Sequence, residues 1–313
     1  ELRAEEMSNG FHAWSRAIGK SGSYSPKVTG YNSQGFSTNV AGMQIGGDYS
    51  TEGVFVQGDK LTVGLFGEFA HSSFDVSGRT AHGSISSKGI GGYATWQQHA
   101  PTGSQSGTGL YVDAVVKHDW LDFGVDAKSV TGFDLNNGYK GRAISASVET
   151  GYGIDLGDNL ILQPQAQLVY SKVTADSFTD NYGVTVSGQE SESLRGRLGL
   201  RLEKTFFLDD EVEAVAPPET RNTGKGVKNT KGKASARAPQ QPRKKKSGRS
   251  VTTFVDANVK HELRGKGGFT ANGTSVGSDM GGTTFDVGIG ATAKLSDNVS
   301  LYGRASVEFG GHT

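Results

Sequence analysis

Catalysis and metal binding need particular side chains at particular spacings, and this sequence holds few of them. Its seven histidines are His12, His71, His82, His99, His118, His261 and His312. None stands in a His-Glu-x-x-His pair or at another close metal-ligand spacing. The chain has no cysteine, so thiolate metal sites and disulfides are excluded. No nucleophile elbow, a Gly-x-Ser-x-Gly set between a strand and a helix, is read, and no phosphate-binding loop occurs. Asp113 and Glu149 are the candidates for paired acid–base carboxylates. The competing reading makes them charges of an enclosed polar interior, balanced by Arg195, Arg197 and Arg201, and it is preferred. No catalytic, cofactor-binding or metal-ligating residue is therefore expected, and no enzyme activity.

The formal charge is zero, but it is unevenly spread. Between Ala214 and Ser250 stand eleven Lys or Arg and one acid, Glu219. The same stretch holds four of the seven prolines and no aromatic residue. Such a composition predicts a solvated, disordered insertion over 209–250. Its Arg243-Lys244-Lys245-Lys246 run would suit a polyanion. Without aromatic stacking residues it does not read as a nucleic-acid site. Lipid headgroups and cell-wall carboxylates are the other candidate anions, and a linker with no partner is the simplest reading.

What remains, 1–208 and 251–313, alternates with period two. Leu160, Leu162, Pro164, Ala166, Leu168 and Tyr170 share one face, and Gln163, Gln165, Gln167 and Ser171 the other. A helix would scatter these residues, whereas a strand sorts them. Leu194, Leu198, Leu200 and Leu202 likewise oppose Arg195, Arg197, Arg201 and Glu203. The same sorting sets Leu61, Val63, Leu65 and Phe69 against Glu68, and Leu301, Ala305, Val307 and Phe309 against Arg304 and Glu308. Eleven strands are predicted: 11–21, 36–51, 60–77, 86–99, 108–127, 140–156, 159–177, 190–207, 251–265, 282–296 and 298–311. Several exceed the five or six residues common in globular sheets. A strand tilted by about 45° needs roughly 9–11 residues to cross hydrocarbon.

Connections alternate in length. Asp155–Asn159 and Ser296–Asn298 read as tight turns, and 128–139, 178–189 and 266–281 as longer polar loops. Short turns on one rim and long loops on the other suit an outer-membrane barrel. A soluble β-sandwich also alternates, but its polar face would be rich in Lys and Glu. Here the polar face mixes Gln, Ser, Gly, Asp, Glu and Arg, as a wet lumen requires. The expected pore-lining residues are Glu68, Asp113, Glu149, Gln163, Gln165, Gln167, Arg195, Arg197, Arg201, Arg304 and Glu308. Trp14, Trp96, Trp120, Tyr152, Tyr170 and Phe178 are expected as interfacial girdle residues. The fold class is thus an all-β, transmembrane, antiparallel up-and-down barrel.

Short stretches add a resemblance. They are Ala13-Trp14-Ser15-Arg16 with Gly19, Gln44-Ile45-Gly46-Gly47-Asp48, Gly92-Tyr93-Ala94-Thr95-Trp96, and Leu110 through Val116. Glu149-Thr150-Gly151-Tyr152, Leu162 through Tyr170, Leu194 through Arg201 and Gly288-Ile289-Gly290-Ala291 continue the set. In this order and spacing they resemble the autotransporter β-domain, the translocator of type V secretion. The resemblance implies a 12-stranded barrel, with a helix threaded through the pore to a secreted passenger upstream of Glu1. Residues 1–10 would be the lower end of that segment. It further implies an outer membrane of a Gram-negative bacterium as the location. Expected partners are the passenger, outer-membrane lipid and lipopolysaccharide, the β-barrel assembly machinery and periplasmic chaperones. The barrel would be a monomer. Two features depart from the family pattern: the basic insertion, and the few residues after Phe309, from which a missing final strand is expected. An outer-membrane barrel enzyme or a small-solute porin is the alternative.

Overall fold

The computed structural model describes residues 9–24, 35–76, 81–98, 107–128, 134–208, 210–212, 244–246, 249–279, 281–296 and 299–311. Every regular element among them is a strand: β1 (Gly10–Tyr24), β2 (Phe36–Glu52), β3 (Lys60–Val76), β4 (Ala81–Gln97), β5 (Gly109–Lys128), β6 (Asp134–Asp155), β7 (Leu160–Ala175) and β8 (Phe178–Thr179). They continue as β9 (Thr185–Phe207), β10 (Asp210–Val212), β11 (Lys244–Lys246), β12 (Ser250–Ala271), β13 (Thr274–Asp279), β14 (Gly282–Ser296) and β15 (Val299–Gly311). Eleven of them form one antiparallel path, β1-β2-β3-β4-β5-β6-β7-β9-β12-β14-β15. Neighbours in the path are consecutive long strands, which is the up-and-down order. The sheet curls into a nearly closed barrel. β1 and β15 meet at its seam without a hydrogen-bonded ladder, and Lys20 Nζ lies 3.9 Å from Glu308 Oε2 across it.

The pleat divides the side chains. On β3, Leu65 is 74% exposed while its neighbours Phe66 and Glu68 are buried. On β9, Leu198 is 67% exposed and Arg201 buried. Around the barrel the exposed set is Ile45, Leu65, Ile90, Val116, Val148, Leu198, Val255, Ile289 and Val307, with the polar residues turned inward. A belt of exposed aliphatic side chains this continuous is tolerated in lipid and not in water. No helix among the described residues is long and apolar enough to cross a membrane; the crossing is made by strands.

Inward aromatic rings occupy a fixed kind of place. Trp14, Phe66, Phe74, Tyr93, Tyr111 and Phe254 are registered directly opposite Gly46, Gly91, Gly83, Gly64, Gly151 and Gly290. Each ring lies over its partner glycine. A Cβ at Gly64 would come 2.5 Å from the Tyr93 ring, and one at Gly151 2.5 Å from Tyr111. Both approaches are below any real Cβ contact. The glycines are thus pockets in the wall that let a crowded interior accept aromatic volume.

The structure departs from the sequence reading in several places. The segments 128–139, 178–189 and 266–281, read as loops, are largely sheet. β6 begins at Asp134, β9 at Thr185, and β12 runs to Ala271, where it pairs with β13. Strand pairing continues past the membrane belt there, while neither face needs to be apolar, so alternation vanishes before the ladder does. The insertion holds a two-stranded ribbon, with Asp210 opposite Lys246 and Val212 opposite Lys244. That ribbon lies within the span expected to be disordered; 213–243 are outside the described residues. Residues 1–8, expected as helix, are also outside them, and Gly10 already belongs to β1.

The turn between β2 and β3 is held by one carboxylate. Asp59 accepts from the amides of Val54 (2.8 Å), Phe55 (3.0 Å) and Val56 (3.2 Å), and from the indole of Trp96 (2.7 Å). Burial alone would push its carboxyl up; the Trp96 indole and the three amides outweigh it and hold the group below its ordinary value. A lowered folded value gives stability that is complete above the ordinary carboxylate range and lost as pH falls through the folded value. Acid titration should therefore leave Trp96 fluorescence unchanged down to about pH 4 and shift it below that. The Asp59→Asn variant should lack the transition; an identical acid transition in that variant would remove Asp59 as its cause.

The ring-over-glycine pairs give a second test. Gly151→Val should destabilise the barrel by about 1–3 kcal/mol in urea unfolding from micelles, since the Tyr111 ring has nowhere to move. Gly157→Val is no fair comparison because Gly157 has φ +85°. Gly303, beside which a Cβ would meet nothing, should tolerate Ala with little loss.

Candidate functional site: the inner wall of the barrel

The inward polar side chains join into clusters that follow one another around the barrel. In the first, His12 Nδ1 is 2.9 Å from Asp48 Oδ1, the Tyr93 hydroxyl donates to Asp48, and the Trp14 indole donates to the Tyr93 hydroxyl at 2.8 Å. Trp14 is thus an interior residue and not a girdle one. An indole N–H needs an acceptor, and β1 turns this one toward Tyr93. In the second cluster, Arg16 donates to Gln44, Gln44 to Glu68, and Lys117 Nζ lies 2.7 Å from Glu68 and 3.1 Å from Asp119.

The third cluster is centred on Glu149, which is 2% exposed. The Tyr111 hydroxyl donates to it at 2.7 Å and Arg197 Nη2 at 2.6 Å. The same guanidinium donates to Gln167, Gln165 and Asn258, and Gln165 donates to Gln163. Asp113 stands opposite Glu149 in the β5–β6 register and accepts from Thr95. An acid–base pair would need a carboxyl left to take a proton. Both Glu149 oxygens are instead taken by donors, Oε1 by the Tyr111 hydroxyl and Oε2 by Arg197. Of the three arginines named as counter-charges to Asp113 and Glu149, Arg197 reaches Glu149. Arg195 pairs with Glu262 (3.2 Å), and Arg201 with Glu203 (3.4 Å) while lying 4.1 Å from the Phe254 ring centroid.

The fourth cluster reaches the seam. Arg304 donates to Asp256 at 2.6 and 3.0 Å and also to Asp286; Asn258 donates to both carboxylates. Lys260 lies 2.9 Å from Glu308 and 3.7 Å from Asp286. All eleven side chains named from the sequence therefore lie on one face of the sheet, the inner one. His12, Asp48, Lys117, Asp256, Asn258, Asp286 and Glu262 share it. The parity of their strands carried that signal, but not which charges would meet. Among the described residues no group of three or more His, Cys, Asp or Glu could hold a metal.

The aromatic residues divide. Trp96, Trp120, Tyr152 and Tyr170 are on the outer face. Phe178 is not: it stacks on Tyr139 at 4.6 Å, which stacks on Phe123 at 4.8 Å. Phe123 shares the parity of Tyr111 and Asp113, so the stack belongs to the inner side of the long-loop end. Burial pushes the Tyr139 phenol up.

The residues that build this barrel match the family described as Autotransporter beta-domain over 13–218 and 220–306. The chain belongs to the autotransporter β-domain family. It is 34% identical over 133 residues to the adhesin BmaC autotransporter of Brucella suis, covering 42% of this chain and 4% of that protein. It is 25% identical over 220 residues to the pertactin autotransporter of Bordetella bronchiseptica, covering 70% of this chain and 19% of that protein. The chain thus spans a small part of these relatives. The β domain of the Bordetella autotransporter Brka superposes with a TM-score of 0.65 at 16% identity, over 96% of this chain and 93% of that one. The transport unit of AIDA-I from Escherichia coli gives 0.66 at 17%, over 100% and 88%. Autotransporter β-domains are outer-membrane barrels of Gram-negative bacteria, which is where this one resides.

Arg197→Ala should cost about 3 kcal/mol in urea unfolding from micelles, because it leaves Glu149 buried without its counter-charge. Adding Glu149→Gln to that variant should recover most of the loss. A double variant no more stable than Arg197→Ala would mean that packing by the arginine stem, and not charge, is what the wall requires.

Proposed function

We propose that this barrel is the outer-membrane translocator and anchor of a passenger lying upstream of Glu1, and that its inner wall is the conduit. The observation that carries the reading is a family match across nearly the whole barrel together with a continuous, charge-balanced inner face. Glu68, Asp113, Glu149, Gln163, Gln165, Gln167, Arg195, Arg197, Arg201, Arg304 and Glu308 line the route. Their charges are neutralised by fixed neighbours, so an extended chain of any sequence meets a polar surface that does not hold it. Eight-stranded barrels are filled by side chains and sixteen-stranded ones leave an aqueous channel. A barrel between these sizes has a bore near the roughly 10–12 Å diameter of one helix. It passes an unfolded segment and not a folded domain.

In this reading the residues before β1 are the lower end of a segment that occupies the pore after secretion. The basic 209–250 insertion lies at the periplasmic rim. The barrel does no chemistry of its own. It works as a monomer in contact with lipid and lipopolysaccharide, and the β-barrel assembly machinery and periplasmic chaperones deliver it. The alternative, an outer-membrane barrel enzyme or a small-solute porin, is not favoured by the family match.

A short flexible epitope fused upstream of Glu1 should become sensitive to protease added outside intact cells. A small domain locked by an engineered disulfide, fused at the same point, should stay protected until a reductant is supplied. Equal exposure of both fusions would overturn the narrow-conduit reading.

A further inference from the structure

The turn Gly53–Asp59 has an unexpected tip. Val54, Phe55 and Val56 are consecutive and exposed, Phe55 by 71%. A turn that faces water is usually polar, and three apolar residues at its tip find no packing partner there. The direction in which the turn folds is set by its clamp. Asp59, itself 0% exposed, accepts from Trp96. Trp96 has the opposite parity on β4 to the buried Tyr93 and Thr95, so it stands on the outer face. The turn therefore leans over the outside of the barrel and away from the lumen.

That outer face is apolar up to the turn. Phe11 and Tyr49 are in ring contact at 4.8 Å, and Tyr49 is registered on Val63. Next toward the rim, Leu61 is registered on Trp96. The tip continues this belt beyond the last strand residue. A second observation is independent of the apolar side chains. The amides of Val54, Phe55 and Val56 all donate to the Asp59 carboxylate, the Gly53 amide donates to the Asp59 carbonyl at 2.8 Å, and the Asp59 amide to the Val56 carbonyl at 3.2 Å. Water would satisfy these donors without help. An apolar medium would not, and there each unpaired amide is costly.

We propose that the Val54–Phe55–Val56 tip is an interfacial anchor that enters the acyl boundary of the membrane leaflet on the short-turn side of the barrel. The inference rests on the outer-membrane reading of the barrel. Its ligand is a phospholipid surface, and a periplasmic protein seated on the tip is the competing occupant. The anchor fixes the depth of the β2–β3 hairpin beside β1, next to the seam. Asp59 is a positioning residue in it: it satisfies the turn's amides and ties the turn to Trp96.

The absence of cysteine from this chain makes single thiols unique. Phe55→Cys, Val56→Cys, Leu65→Cys and Tyr182→Cys would each carry a nitroxide in the full chain, folded into phosphatidylethanolamine–phosphatidylglycerol vesicles. Relaxation by oxygen and by a water-soluble nickel chelate then reads depth. Leu65 lies in the belt and Tyr182 at the tip of a loop on the opposite rim. The proposal expects labels at positions 55 and 56 to lose most of their chelate collisions relative to position 182 and to keep those with oxygen. Adding Asp59→Asn to Phe55→Cys should restore chelate access. If position 55 is as open to chelate as position 182 while position 65 is shielded, the tip is not in lipid and the proposal is overturned, a protein partner becoming the better occupant. If position 65 is also open, the membrane reading of the barrel fails first and the anchor with it.

Discussion

A backbone amide in hydrocarbon has no water to fall back on, and this requirement organises the molecule. It forces consecutive strands to pair with their neighbours and the sheet to curl until its edges approach. Once the sheet curls, one face looks at lipid and the other at a wet interior. The pleat then demands that residues alternate in polarity through the belt. Leu198 and Arg197 are adjacent in sequence and have opposite surroundings for this reason alone. The seam between β1 and β15, where the ladder is lacking, is bridged by Lys20 and Glu308, a contact that leaves the backbone edges themselves unpaired.

The interior then has its own constraint. Eleven strands' worth of inward carboxylates and guanidinium groups must be compensated within the wall. The clusters centred on Glu68, Glu149 and Asp256 do this by linking three or more strands each. Opposite charges at register partners would have sufficed for a local sheet. Here the partners are further apart: Lys117 on β5 reaches Glu68 on β3, and Arg304 on β15 reaches Asp256 on β12. The wall is tied across the ladder as well as along it, which keeps long side chains against the sheet and clear of the bore.

Much of this was legible where the bilayer imposed the pattern. Leu160–Tyr170 and Leu194–Leu202 sort their side chains because lipid touches one face, and β7 and β9 follow. Beyond the belt that pressure ends. Asp134–Tyr139, Thr185–Gln189 and Lys266–Ala271 are paired strands without an apolar face, so they read as loops. Aromatic residues misled in the same way. Trp14 and Phe178 have the composition of girdle residues, but parity and stacking turn them inward. Which charge meets which was out of reach, because Arg197 finds Glu149 through barrel curvature and tilt that no local pattern encodes. The family resemblance named the translocator from short stretches that are mostly wall residues.

The rings set over glycines also bear on how such a sheet finds its alignment. In a long hairpin of alternating residues, a slip by two positions preserves which face is apolar, so polarity cannot correct it. Shape can. Sliding β4 by two residues one way would bring Tyr93 against Phe66, two rings where the wall has room for one; the other way leaves Gly64 facing Gly91 and a hollow. Each ring and its glycine act as a key and its notch. Six of them distributed over the barrel make a single staggering of the strands the cheapest, and with it a single girth. The width of the passage would then be decided by a handful of small residues that touch nothing passing through it.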